Sequence, residues 1–308
     1  MIEPTIPAFS RRLVLTMAGG AALAPAAAAV PADLSGHWDQ RGSLRTIGGV
    51  LHYAMSGPEK GHPLVLLPKL GGWIADWRFA APYLATNRRV IAFDPPGHGG
   101  SRMDGAPPYI ASVPTCAAMI LGALDELGVD RFSIAGNSLG GIIGAVAAVN
   151  QPDRVDRLIV ISSSLIGAMT REQLAGQDRL ALDPRQPSSY AKDGSPLPST
   201  PEQLQAFATL DPRVTREMAL SRRKAGLWVR ACERGVGRVG VTDYLPRIKA
   251  PTLLVYADRG RYARYAEVGL RLVPNAQAVT IRDSGSFVHQ EKPAETAAAI
   301  NQFLDRRT

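Results

Sequence analysis

Six short runs of uninterrupted apolar residues most constrain this chain: PLVLLP (63–68), RVIAFD (89–94), FSIAGN (132–137), RLIVISS (157–163), TLLVYAD (252–258) and QAVTIRD (277–283). Each has the length of a strand and is bounded by turn residues. A strand that is apolar at every position is covered on both faces, the condition of a parallel sheet wrapped by helices. Helical patterns fall between the runs, near 75–86, 113–127, 139–150, 261–272 and 293–305. The alternation predicts an α/β fold with a mostly parallel central sheet and flanking helices. Residues 164–247 break it: a Pro- and Ser-rich stretch, LDPRQPSSYAKDGSPLPSTPEQ, leads into basic helical segments with no clear strand. They read as a helical cap inserted over the strands' carboxyl ends, where open α/β sheets bind ligands.

The N-terminus obeys different rules. SRRLVLTMAGGAALAPAAAAVPAD places Arg11 and Arg12 before an apolar stretch that ends in small residues suited to A-x-A cleavage near Ala29. Gly19, Gly20 and Pro25 interrupt any amphipathic period, which argues against a first helix of the fold. The segment resembles a bacterial twin-arginine export signal, which implies delivery to the periplasm. No other stretch reaches about 18 consecutive apolar residues, so no transmembrane segment is expected once the signal is removed. The expected layout is an export signal over 1–29, a linker over 30–42, a core over 43–163, the cap over 164–247 and the rest of the core over 248–308.

Beyond the signal, 33 basic against 26 acidic residues leave a formal charge of +7. The positive charge gathers in TREMALSRRKAGLWVRACERGVGR (215–238), which makes either a solvated helix face or a surface that draws anionic substrates. No nucleic-acid motif accompanies it. Cys116 and Cys232 are too few for a disulfide framework and lack metal-ligand spacing, so each is expected as a small buried apolar residue. Export would allow them to pair.

The chemistry centres on RFSIAGNSLGGIIGAVAA (131–148). Here an apolar strand passes through G-x-S-x-G into a helix, and the glycines at 136 and 140 allow a cramped turn that projects Ser138 above the sheet. With HYAMSG (52–57), FDPPGHGGS (93–101), IKAPTLLVYADR (248–259) and DSGSFVHQEKP (283–293), the chain from about residue 43 resembles the α/β-hydrolase family. The resemblance implies an α/β-hydrolase fold, a serine nucleophile, a small-molecule substrate and neither cofactor nor metal. A serine rather than an aspartate at 138 argues against epoxide hydrolase or dehalogenase chemistry.

A serine hydroxyl needs a base within hydrogen-bond reach, and the base needs an orienting acid. The family's order is serine, acid, histidine. Aligned on the motifs, the family's histidine position falls on Ser286 of GSF, and its acid position on Gly260 of ADRG. Only His289 follows Ser138 among the five histidines. A displaced triad of Ser138, His289 and Asp258 is one way to restore activity, with Asp283 and Glu291 read as surface charges. The oxyanion hole is expected from the backbone N–H groups of Leu139 and Leu70. Where relatives read HG, this chain has Pro68-Lys69. Lys69 is a potential base for Ser138, a cation for an anionic substrate, or a solvent-facing residue. Three functions follow: an enzyme of non-standard chemistry, an exported binding protein that has lost turnover, or an ester or carbon-carbon bond hydrolase with a displaced triad.

Overall fold

The computed structural model describes residues 14–15, 38–183, 189–209 and 211–306. Of the expected export segment only Val14–Leu15 (β1) falls among them, paired in parallel with Ala278 and Val279 at the sheet edge. The paired arginines and the cleavage point lie outside the described residues. An antiparallel hairpin follows, β2 (Gln40–Thr46) and β3 (Gly49–Ser56). β2 therefore begins inside the stretch expected as linker. Its residues are half-buried or exposed and mostly polar, so its sequence carries no apolar run.

The apolar runs then become strands whose successive side chains enter two different cores. β4 (Leu64–Leu67) sends Val65 and Leu67 to one side and Leu64 and Leu66 to the other. The expected helix over 75–86 is instead a 3₁₀ turn (Ile74–Trp77) and a short α1 (Ala81–Leu84). Pro82, which has no N–H to give, starts a new helix there rather than continuing an old one. β5 (Val90–Phe93) and the two-residue β6 (Arg102–Met103) come next. α2 (Val113–Glu126) begins at the Ser112 cap with a proline in its first turn. Then follow β7 (Phe132–Asn137), α3 (Leu139–Asn150) and β8 (Val155–Ile161).

Between β8 and β9 the described residues form four α-helices, α4 (Arg171–Leu182), α5 (Pro201–Phe207), α6 (Pro212–Ala225) and α7 (Trp228–Val239), and two 3₁₀ turns. Caps define their starts more than apolar stripes do. Thr170 with Gln173, and Thr200 with Gln203, form reciprocal capping boxes, and the Asp211 side chain caps α6. The core resumes with β9 (Thr252–Ala257), α8 (Tyr265–Leu272), β10 (Ala276–Ile281), the single turn α9 (Val288–Glu291) and α10 (Pro293–Leu304).

The strands form one sheet in the order β1-β10-β9-β8-β7-β4-β5-β3-β2, parallel except where β3 meets β2, β5 and β6. α2 and α3 cover one face with Ile120, Leu124, Ile143 and Val146, while Trp77, Leu84, Ile300 and Phe303 cover the other. β4 has β5 on one side and β7 on the other, with Leu67 opposite Gly136. This reversal of strand order opens a crevice at the carboxyl ends of β4 and β7. Among the described residues no helix is long and apolar enough to cross a membrane.

Candidate active site

Ser138 stands at that crevice, between the last residue of β7 and the first of α3, with φ 52° and ψ −111°. A non-glycine residue pays about 1–3 kcal/mol to occupy such backbone space, so its surroundings must hold it there. Four hydrogen bonds do so. The Ser138 amide donates to Ile161 O at 2.9 Å and the Asn137 amide group to the same oxygen at 3.1 Å. Ser163 Oγ donates to Ser138 O at 2.9 Å, and Gly140 N to Pro68 O at 3.1 Å. The flanking glycines are obligatory for contact: a Cβ at Gly136 would stand 2.1 Å from Gly140 C, and one at Gly140 2.3 Å from Leu67 O.

The loop after β4 is thereby tied to the elbow. The amides of Leu139 and Leu70, both next to Ser138, meet no acceptor among the described residues. They are available to an oxyanion. Lys69, 3% exposed, turns its Nζ to Asp76 Oδ2 at 2.5 Å, and Asp76 is wholly buried. The ammonium also lies 5.2 Å from the centre of the Phe287 ring. Burial raises the Asp76 carboxyl above its ordinary pKa, and the adjoining Lys69 ammonium pulls it back. A Ser138–Lys69 dyad is not assembled: the amine is bound to a carboxylate, and no hydrogen bond joins it to Ser138 among the described residues. Sequence reading missed Asp76 because a lone aspartate seven residues past a loop lysine has no motif.

Gly260 and Ser286, which the sequence aligns with the family's acid and histidine, come together in space. A Cβ at Gly260, whose φ is +88°, would lie 2.7 Å from Ser286 Oγ. Ser286 Oγ is buried without a partner. Across both passes the end of α5: Ser286 N donates to Phe207 O at 2.8 Å, Arg261 N donates to Ala206 O at 3.0 Å, and Phe207 O also lies 2.8 Å from the Gly260 Cβ position. Glu291, expected as a surface charge, fastens the arrangement by accepting from Gly285 N at 2.7 Å and Thr209 Oγ1 at 2.8 Å.

His289 is not brought to Ser138 as a base. Its ring packs on Trp77 with centroids 4.5 Å apart, is fully buried, and leaves both nitrogens without a partner. Burial holds its pKa well below the usual histidine value, with Lys69 and Arg78 adding to the effect. An imidazole in that state is a weak proton acceptor. Asp258 does not reach it either. The Asp258 carboxylate accepts from Asp283 N at 3.0 Å and from Ser284 N at 3.4 Å, closing the turn after β10 at the surface. The displaced triad expected from Ser138, His289 and Asp258 is therefore not formed. His98, in the PPGHGGS turn, is buried with Nδ1 3.0 Å from Pro96 O.

A cleft of about 170 Å³ lies between this floor and the inserted helices. Its lining includes Lys69, Leu70, Ser138, Arg222, Arg261 and Phe287, as well as Glu233. Arg222 comes from the basic stretch on α6, whose Cγ rests 2.6 Å from the position of a Cβ at Gly71, and its Nε is buried without a partner. Glu233 is already engaged by Tyr190 Oη at 2.8 Å and Arg230 Nη1 at 2.5 Å. Of the positive residues read from the sequence as a group, Arg222 is thus the one that enters the cleft beside Ser138. Among the described residues no cluster of His, Cys, Asp or Glu is arranged to hold a metal ion.

Comparison with known proteins places this geometry. A model of the α/β hydrolase fold matches residues 62–293. The chain is 30% identical over 264 residues to the dihydrolipoyllysine-residue acetyltransferase component of the acetoin cleaving system of Pseudomonas putida, covering 83% of this chain and 67% of that protein. It is 37% identical over 108 residues to 2-hydroxymuconate semialdehyde hydrolase of Pseudomonas sp. (strain CF600), a match spanning 34% of this chain and 37% of the relative. Among solved structures, a malate-bound thermophilic esterase from Thermogutta terrifontis superposes with a TM-score of 0.72 at 23% identity, covering 86% of this chain and 98% of that one. The strained serine between β7 and α3, the free amides beside it and the extent of the family match together make this chain a member of the α/β-hydrolase family.

Proposed function

We propose that this protein binds a small anionic carbonyl compound beneath the inserted helices, which act as its cap, and polarises the carbonyl without a Ser-His-Asp relay. The observation that carries the reading is the imbalance around Ser138. Among the described residues its hydroxyl meets no base and the Leu139 and Leu70 amides are unused, while Lys69, Arg222 and Arg261 share the cleft. A carbonyl oxygen seated on the two amides would gain negative charge, and the Lys69 ammonium, held by Asp76, would stabilise an enolate or a departing anion nearby. Ser138 would donate a hydrogen bond to the substrate rather than attack it. Attack without the imidazole forfeits about 10⁴-fold or more in turnover by the scale of serine proteases.

The second reading is an inactive binding protein. It is favoured by the cap residues Ala206 and Phe207, whose carbonyls accept from Arg261 N and Ser286 N beside the two positions aligned with the triad. One experiment separates these readings from a working esterase. A fluorophosphonate probe should label Ser138 no faster than an unactivated serine, whereas rapid labelling would demonstrate a base and overturn both. Calorimetric titration with small keto acids and their neutral esters should show binding of the acids that weakens tenfold or more in Arg222→Gln. Equal affinity for acid and ester would remove the anionic substrate class. Turnover of a bound keto acid, followed by NMR, separates the enzyme from the binding protein. We also propose that residues 1–29 direct export to the periplasm; fractionation of cells expressing the chain with and without Arg11→Lys and Arg12→Lys tests this.

A further inference from the structure

The two cysteines are the only ones in the chain, and they sit on elements far apart in sequence: Cys116 in the first turn of α2, in the core, and Cys232 in α7, in the insertion. Both are buried, at 4% and 1% exposure. Their side chains are neighbours across the α2–α7 contact, each thiol acting on the other. The backbone fixes this approach. Ala111 N, just before α2, donates to Ala231 O at 3.0 Å, and α7 comes so near that a Cβ at Gly235 would stand 1.9 Å from Ala111 O. Neither sulfur lines the cleft, but Glu233, adjacent to Cys232, does.

We propose that Cys116 and Cys232 form a redox latch, an intramolecular disulfide that fastens the inserted helices to the core when the protein meets a disulfide oxidant. The exchange starts at Cys116, the less buried of the two, once its thiol has given up its proton. It displaces one thiol from a small-molecule disulfide and forms a mixed disulfide. Cys232 then loses its proton and attacks Cys116 Sγ, expelling the second thiol. Two electrons pass from the cysteine pair to the reagent, which leaves as two thiols. The new bond closes a loop that includes β7, the elbow, β8 and most of the insertion. It removes unfolded-chain freedom that grows with the logarithm of that length and holds the α7 wall of the cleft in place. The latch does not depend on the ligand proposed above, and it would persist in an oxidising compartment such as the periplasm.

The test uses the full chain, purified under reductant and then incubated in native buffer with oxidised glutathione. Free thiols are blocked in denaturant by an alkylating agent before intact-mass and peptide analysis. The expected product is a monomer lighter by two hydrogens, unalkylated, with one peptide pair joined through Cys116 and Cys232. Its Tm should rise by about 5 °C or more, reverting with a dithiol reductant. Cys232→Ser should instead give a single glutathione adduct or one alkylatable thiol, with a redox-independent Tm. Two alkylatable thiols, two glutathione adducts or a disulfide-linked dimer from the parent chain would overturn the proposal. So would a formed bond that leaves the Tm unchanged.

Discussion

Gly260 and Ser286 stand in contact, a Cβ on the first falling 2.7 Å from the hydroxyl oxygen of the second. The positions that the sequence aligns with the family's acid and histidine are therefore adjacent, as a triad requires, yet a side chain at Gly260 has no room. Phe207 O occupies the space beside both, and Gly260 at φ +88° penalises any Cβ. Reinstating the residues as Gly260→Asp with Ser286→His should thus give no esterase activity. It should lower stability by about 2–5 kcal/mol, the combined scale of backbone strain and overpacking. Hydrolysis of p-nitrophenyl acetate and urea unfolding check this. Activity well above that of the parent chain would mean that the α5 end swings aside.

Lys69 and Asp76 form a buried ion pair, and removing one partner strands the other. Lys69→Met should cost about 3–5 kcal/mol, whereas Lys69→Met with Asp76→Asn should recover most of it. The pH dependence carries a definite sign. Burial already raises the Asp76 pKa in the folded chain, and the loss of the lysine removes the influence opposing it. The native state of Lys69→Met then binds a proton that the unfolded state has released. Its stability falls as pH rises from about 4, the unfolded carboxylate value, through the raised folded value. Urea midpoints across pH 4–8 measure this. A single variant that loses less than about 1 kcal/mol at neutral pH would show that the pair does not behave as buried charges.

The central sheet was legible because burial on both faces leaves a signal at every position, as in Leu64–Leu67 and Thr252–Ala257. β2 was not, because an edge strand with one wet face, such as Gln40–Thr46, reads as polar chain. Ser138 was legible because the elbow needs glycines at fixed offsets. The partners that now occupy the site were not. Asp76, Phe207 and Arg222 reach it through tertiary packing, and the His289 ring packs on Trp77. Spacing along the chain contains none of these contacts.

His289 should report its burial through pH. Its folded pKa lies well below the unfolded value of about 6.5, so the unfolded chain binds the proton first on acidification. The stability it contributes is complete above about pH 6.5 and is lost as pH falls from there toward the folded value. His289→Phe removes that dependence. Because neither ring nitrogen has a partner, the substitution forfeits no hydrogen bond and should be neutral or stabilising by about 1 kcal/mol at pH 7. Unfolding curves between pH 5 and 8 should show a flatter profile for the variant. An unchanged slope would mean that the imidazole is solvated in the folded chain.

Strain at Ser138 can be separated from the chemistry of its hydroxyl. Alanine and glycine both remove the oxygen, but only glycine escapes the cost of a Cβ at φ 52° and ψ −111°. Relief of about 1–3 kcal/mol is offset by the roughly 0.5–1 kcal/mol that a glycine adds to unfolded-chain entropy. Ser138→Gly should therefore exceed Ser138→Ala in stability by up to about 2.5 kcal/mol, read as a higher urea midpoint. Equal midpoints would show that the elbow relaxes around any residue and stores nothing. A measured difference would mean that a chain without an activating histidine still bears the energetic cost of presenting a hydroxyl at the cleft floor, which favours a hydroxyl used on the ligand over one merely left behind.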